Sequence, residues 1–167
     1  MAGRISKIVP NLWFDTQAEE AARFYTSVFP NSSLGRIARY GKAGHDIHGM
    51  EDGTVMTLEF SLDGQDFLAL NGGPVFTFSE AISFIINCDT QEEADYFWDK
   101  LSEGGDPNAQ QCGWLKDKFG VSWQVIPKAF SEMMDDPDPQ KSERMMEAML
   151  QMKKLDINAL KKARDQA

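Results

Sequence analysis

One repeated segment constrains this chain more than any other feature. Asp15-Thr16-Gln17, followed by Glu19, Glu20, Ala21, Phe24 and Tyr25, returns as Asp89-Thr90-Gln91, followed by Glu92, Glu93, Ala94, Phe97 and Trp98, one residue shorter. Each copy has the make-up of a helix start. Small polar side chains can accept from free backbone N–H groups, carboxylates fill the first turn, and apolar residues follow at helical spacing. Such an echo points to duplication of one supersecondary unit. In the first half the strand-like run 7–14 (KIVPNLWF) precedes the helix, its Pro10 suggesting a sheet edge or a bulge, and strands are expected at 34–40, 54–62 and 67–71. The second half restarts with a strand at 82–88 and a helix, then a loop at 106–111 with room for a short strand. It closes on the hairpin 112–127 (CGWLKDKFGVSWQVIP), which turns over Asp117 to Gly120. Two βαβββ units, at about 5–72 and 80–127, are therefore expected in one domain over residues 1–127. A parallel doubly wound sheet would also place helices between strands, but three strands joined by hairpin-length turns follow each helix here.

From residue 128 the composition shifts to charge and methionine. Met145, Met149 and Met152, with Met146 and Leu150, lie on one helical stripe, and Asp156 offers the N-cap of a further helix through Leu160. Residues 128–167 thus read as a helical extension whose stripe covers the body of the protein or a partner subunit, with an adaptable binding surface as the alternative. The 167 residues, 42% of them hydrophobic, suffice for one core. A formal net charge of -9 repels phosphate backbones and anionic membranes, so neither nucleic acid nor membrane is expected as a partner. The opening MAGRISKIVP lacks the apolar centre of a signal peptide and no run of 18 apolar residues occurs, which suits a cytoplasmic protein. Cys88 and Cys112 are too few for a disulfide framework and read as free thiols.

The runs WFDTQAEEAARFY, NGGPVFTFSEAISFIINCDTQEEADYFW and CGWLKDKFGVSWQVIP resemble the PhnB-like group of the vicinal oxygen chelate superfamily. Members of that group often carry the label 3-demethylubiquinone-9 3-methyltransferase. The likeness covers residues 7–127. It implies an α+β fold in which two βαβββ modules form a curled mixed-sheet cup of the glyoxalase/bleomycin resistance kind, here with C-terminal helices, and it implies a homodimer. In the superfamily a divalent metal is held by a His near the start of each unit's first strand and a Glu on each last strand. At the corresponding places this chain has Asn11, the Ser83, Ile85 and Asn87 face, Ala69 and Gln124. Neutral amides, hydroxyls and a methyl group do not replace imidazole and carboxylate around a divalent ion, so no metal and no other cofactor is expected. His45 and His48, three apart in a Gly-rich loop, would share an ion only on a helical turn and read as solvated loop residues.

Strand parity, combined with this likeness, gives the cup a mixed lining: Asn11, Trp13, Thr57, Glu59, Phe67, Asn71, Ser83, Asn87 and Gln124. Aromatic walls with a few amides, hydroxyls and a carboxylate suit a small, partly apolar or aromatic molecule. The competing reading is a filled sandwich whose polar groups bond one another. Glu59 is a candidate general base if buried beside Phe67 and Trp13, against the reading of an exposed strand carboxylate. Cys112 is a candidate nucleophile with Lys116 lowering its pKa, against a plain buried or rim thiol. Trp114 and Trp123 would stack on a ring or belong to the core. The expected function is metal-independent binding of a small molecule. The alternatives are an enzyme of the superfamily, of unknown reaction, and the methyl transfer of the family label. The last lacks the Gly-rich turn between strand and helix that nucleotide-like cofactors need.

Overall fold

The computed structural model describes residues 6–166 and divides the chain into two compact units, one reaching Thr77 and the other beginning at Phe78. In the first unit β1 (Asn11–Phe14), α1 (Ala18–Val28), β2 (Ser33–Arg39), a short α2 (His45–His48), β3 (Val55–Leu62) and β4 (Gln65–Asn71) follow one another. Its sheet has the order β1-β4-β3-β2, with β1 parallel to β4 and the other pairs antiparallel. β1 is an edge strand, as Pro10 suggested, and the Pro10 carbonyl accepts from Leu68 N at 2.9 Å.

Asp63 and Gly64 join β3 to β4 with positive φ values of 45° and 81°, the mirror-image turn whose twist suits a two-residue hairpin. Leu62 therefore pairs with Gln65, Glu59 with Leu68 and Thr57 with Leu70. Small residues on α1, namely Ala18, Ala21 and Ala22, let the helix lie close on the sheet, and Tyr25 stacks on Phe60, which stacks on Phe67. Leu12, Phe14, Leu58 and Ala69 complete this core. Truncating Leu58, fully buried, to Ala would cost about 2–5 kcal/mol.

The two copies of Asp-Thr-Gln start their helices differently. In the second, Thr90 accepts from Glu93 N at 3.1 Å while the Glu93 carboxylate accepts from Asp89 N at 2.7 Å, a reciprocal cap. In the first, the extra residue Ala18 moves the helix start past Asp15 and Thr16. Gln17 takes the N-cap position with no side-chain cap, and Asn71 of β4 supplies the acceptor for Ala18 N at 2.8 Å.

The second unit holds β5 (Phe84–Cys88), α3 (Gln91–Ser102), β6 (Trp114–Lys116) and β7 (Ser122–Pro127), then α4 (Lys128–Met134), α5 (Pro139–Met149) and α6 (Ile157–Asp165). The sheet order is β5-β7-β6, with β5 parallel to β7. Where the repeat would place one more strand, Pro107–Ala109 form a 3-10 turn and Gln111 makes an isolated bridge to Trp114. Proline has no N–H to give a ladder, so this unit is a three-stranded variant of the first. β6 begins at Trp114 rather than at residue 112 because Cys112 and Gly113 take left-handed φ values of 52° and 84°. Both sheets are mixed and open, and the fold is α+β with helices at the C-terminal end.

The C-terminal helices belong to the second unit. α4 runs directly on from β7, a helix the composition change at residue 128 did not reveal. Met133, Met145, Leu155 and Leu160 form a buried cluster against which Ile126, Phe130, Met149 and Met152 pack. The stripe is thus interior, although α5 stops at Met149 and Leu150 stays half exposed. Asp156 caps α6 by accepting from Ala159 N, as its position suggested. Among the described residues no helix is long and apolar enough to cross a membrane.

Candidate functional site

In the first unit α1 covers one face of the sheet, and the alternate residues form an outer face. Asn11, Trp13, Thr57 and Glu59 lie there with Leu68 and Leu70, since Asn11 pairs with Leu68, Trp13 with Leu70, Thr57 with Leu70 and Glu59 with Leu68. Phe67 and Asn71 do not. They sit on the helix-packed face at 6% and 3% exposure, because the two-residue hairpin turn puts the even-numbered residues of β4 outward. The outer position opposite Asn11 is accordingly Leu68, not Ala69. Asn71 is bound internally, accepting from Ala18 N and donating to Val55 O at 3.0 Å.

Trp13 is fixed at one end of this face. Its Nε1 donates to Gly73 O at 2.9 Å and its ring meets Phe76 edge-on at 4.9 Å. Gly72 is required beneath it: a Cβ there would stand 2.2 Å from the indole. Toward the other end the sheet carries a recess of about 600 Å³, lined by Val9, Ser33, Gly35, Glu59, Asp66 and Leu68 among others. Of the residues named from the sequence, Glu59 and Phe67 border it. Glu59 keeps half of its side chain exposed and accepts from Arg36 Nη2 at 3.1 Å, so the burial required of a general base is missing.

In the second unit α3 packs on Ile86, Cys88, Leu115, Trp123 and Val125, and the outer face carries Ile85, Asn87, Trp114, Lys116, Ser122 and Gln124. Gln124 Nε2 donates to Ser83 Oγ at 2.8 Å, uniting two of the residues named from the sequence, with Asn87 exposed further along β5. Trp123 is core, its ring tilted against Phe84 and its Nε1 donating to Asp117 at 2.8 Å. Lys116 pairs with Glu80 rather than with the Cys112 thiol, and Cys112 N donates to Met152 O.

The histidines lie on a helical turn after all, α2, held between the left-handed Gly44 and Gly49. Their rings stand 6.1 Å apart, but His48 Nδ1 accepts from Met50 N, and its Nε2 lies 3.2 Å from the Ala43 carbonyl. With both ring nitrogens engaged, His48 has no lone pair to offer a metal. Among the described residues no three His, Cys, Asp or Glu side chains cluster as a metal site.

The architecture is that of a βαβ-hairpin unit in two copies, the second one strand short, each with a helix packed on its mixed sheet. The 3-demethylubiquinone-9 3-methyltransferase family matches residues 6–126, and the chain belongs to that family. A PhnB protein from Bacillus cereus is 38% identical over 73% of this chain and 99% of its own, with a TM-score of 0.62. Protein PA1353 from Pseudomonas aeruginosa shares the fold at 23% identity, over 74% of this chain and 98% of its own, with a TM-score of 0.57. No curated protein matches the chain. The helices after residue 127 lie outside the family match.

Two groups associated with such folds find a poor donor set here. On the first unit's outer face a divalent metal at Asn11 and Leu68 would meet one neutral amide and a hydrocarbon, the Glu59 carboxylate opposite Leu68 being paired with Arg36; on the second unit's face, taken by itself, Gln124 and Ile85 offer no more. S-adenosylmethionine is usually held by a glycine-rich turn after the first strand of a parallel sheet. Here β1 leads to α1 through Asp15, Thr16 and Gln17, and the sheet is mixed.

Proposed function

We propose that this PhnB-like protein binds a small, partly apolar or aromatic molecule against the outer faces of its sheets and does so without a resident metal. The observation that carries the reading is the first unit's outer face. Leu68, Leu70 and Trp13 present apolar surface, Asn11, Thr57 and Glu59 give polar edges, and an adjoining recess of about 600 Å³ is of the size that takes a small organic ligand. The competing picture of a filled sandwich gains less support, because Asn11 and Glu59 are exposed rather than bonded within a core. The protein is proposed to act in the cytoplasm as a homodimer. A monomer in sedimentation equilibrium would count against the pairing.

A thermal-shift screen with aromatic and quinone-like compounds, S-adenosylmethionine included, tests the binding. Stabilisation by an aromatic compound and none by S-adenosylmethionine is expected, since a ligand that binds only the folded state raises its melting temperature. Metal independence is tested by titration with divalent zinc, manganese and nickel. One tight equivalent, lost on replacing Asn11 and Gln124 by Ala, would overturn it.

A further inference from the structure

Segment 78–83 lies along the outer face of the β6–β7 hairpin. The Phe78 ring approaches Gly120, the Glu80 carboxylate stands 2.5 Å from Lys116 Nζ, and Ser83 Oγ accepts from Gln124 Nε2. The register sets Lys116 opposite Ser122 and Trp114 opposite Gln124. Ser122 is 2% exposed, and its Oγ has no hydrogen-bond partner. Buried hydroxyls are nearly always bonded, because only a hydrogen bond offsets the loss of water. Ser122 is paired across the strands with Lys116, whose counter-ion, Glu80, is itself 59% exposed. An ion pair so open to water holds weakly and yields readily to a competitor.

We propose that Lys116, Ser122 and Gln124 form a subsite for the anionic group, carboxylate or phosphate, of a small molecule lying on this face against Trp114, and that Glu80 occupies it in the ligand's absence. The incoming anion takes the ammonium and gives the Ser122 hydroxyl an acceptor, two charge-assisted contacts. Glu80 then turns to solvent and segment 78–83 lifts. Because the chain carries a net charge of -9, the attraction is local and sensitive to salt. The inference rests on the proposed small-molecule binding and adds the ligand's charge.

The test titrates the full chain with benzoate, phenyl phosphate and the neutral benzamide. At least one anion is expected to bind about tenfold more tightly than benzamide, a preference that Lys116→Met removes. Glu80→Gln, at an exposed position, is expected to tighten the anion about two- to fivefold and leave benzamide unchanged. Whichever anion binds better identifies the group. Equal binding of benzamide and both anions overturns this inference but leaves the proposed function standing. So does an anion affinity that Glu80→Gln leaves unchanged or weaker. Failure of all three compounds to bind overturns both.

Discussion

Asn71 accepts from the Ala18 amide with Oδ1 and donates to the Val55 carbonyl with Nδ2, so one side chain ties the start of α1 to β3 and β4. Replacing it by Ala strands both buried backbone groups and should lower stability by about 1–3 kcal/mol in urea unfolding. A change below half a kcal/mol would refute that role. The thiols separate as sharply. Burial pushes the Cys88 thiol up to about 12, with the Glu93 and Asp89 carboxylates adding to it. The native state thus favours the neutral thiol, a contribution present below the ordinary thiol range and lost as pH rises toward 12. A thiol reagent at pH 8 should label Cys112, which is partly exposed, before Cys88, which should react only on unfolding. Rapid labelling of both would contradict this. At this scale Asn11, Trp13, Thr57, Glu59 and Gln124 are legible as outer-face residues from strand alternation anchored on the family likeness. Phe67 and Asn71 face the helix and not the outer side because the register of β4 follows its own turn and not the position of the family's ligand residue. The two-residue Asp63-Gly64 turn pairs Leu62 with Gln65 and already fixes Leu68 as outward.

At the scale of elements, the closing hairpin and the helical extension depend on side chains that imitate backbone. Asp117 gathers the amides of Phe119 and Val121 and the Trp123 indole within the turn. Gln91, at the start of α3, donates to Leu155 O at 3.1 Å and accepts from Ile157 N at 2.8 Å, clamping the segment before α6. Gln91→Ala should cost about 1–3 kcal/mol and make the chain near residue 155 more open to limited proteolysis. Unchanged cleavage would count against the clamp. Asp95 adds a pH dependence. Hydrogen bonds from Lys154, then Gln91, hold its carboxyl below the ordinary value of 3.8. Because the native value is depressed, its contribution is present above about pH 4 and is lost as pH falls through the lower native value. The stability difference between wild type and Asp95→Asn should therefore shrink below pH 4, and a constant difference would contradict the pairing. The repeat made α1, α3 and most strands legible. Neither α4 nor the loss of a strand from the second unit was, since both hang on packing of the extension and on Pro107 rather than on a periodic pattern.

For the whole molecule, the family was legible from three short runs, while the function had to be read from what the outer faces present. The proposed metal independence rests, in each unit by itself, on a neutral amide beside a hydrocarbon, Asn11 with Leu68 and Gln124 with Ile85, and the proposed apolar ligand rests on Trp13, Leu68 and Leu70. The most direct measurement is a proton–nitrogen NMR titration of the full chain with 2-naphthol. The account predicts saturable shifts in the Trp13 indole N–H and in the amides of Thr57, Glu59, Leu68 and Leu70, unchanged by a chelator. No saturable shift on the outer face, or binding that appears only when a divalent metal is added, would contradict it.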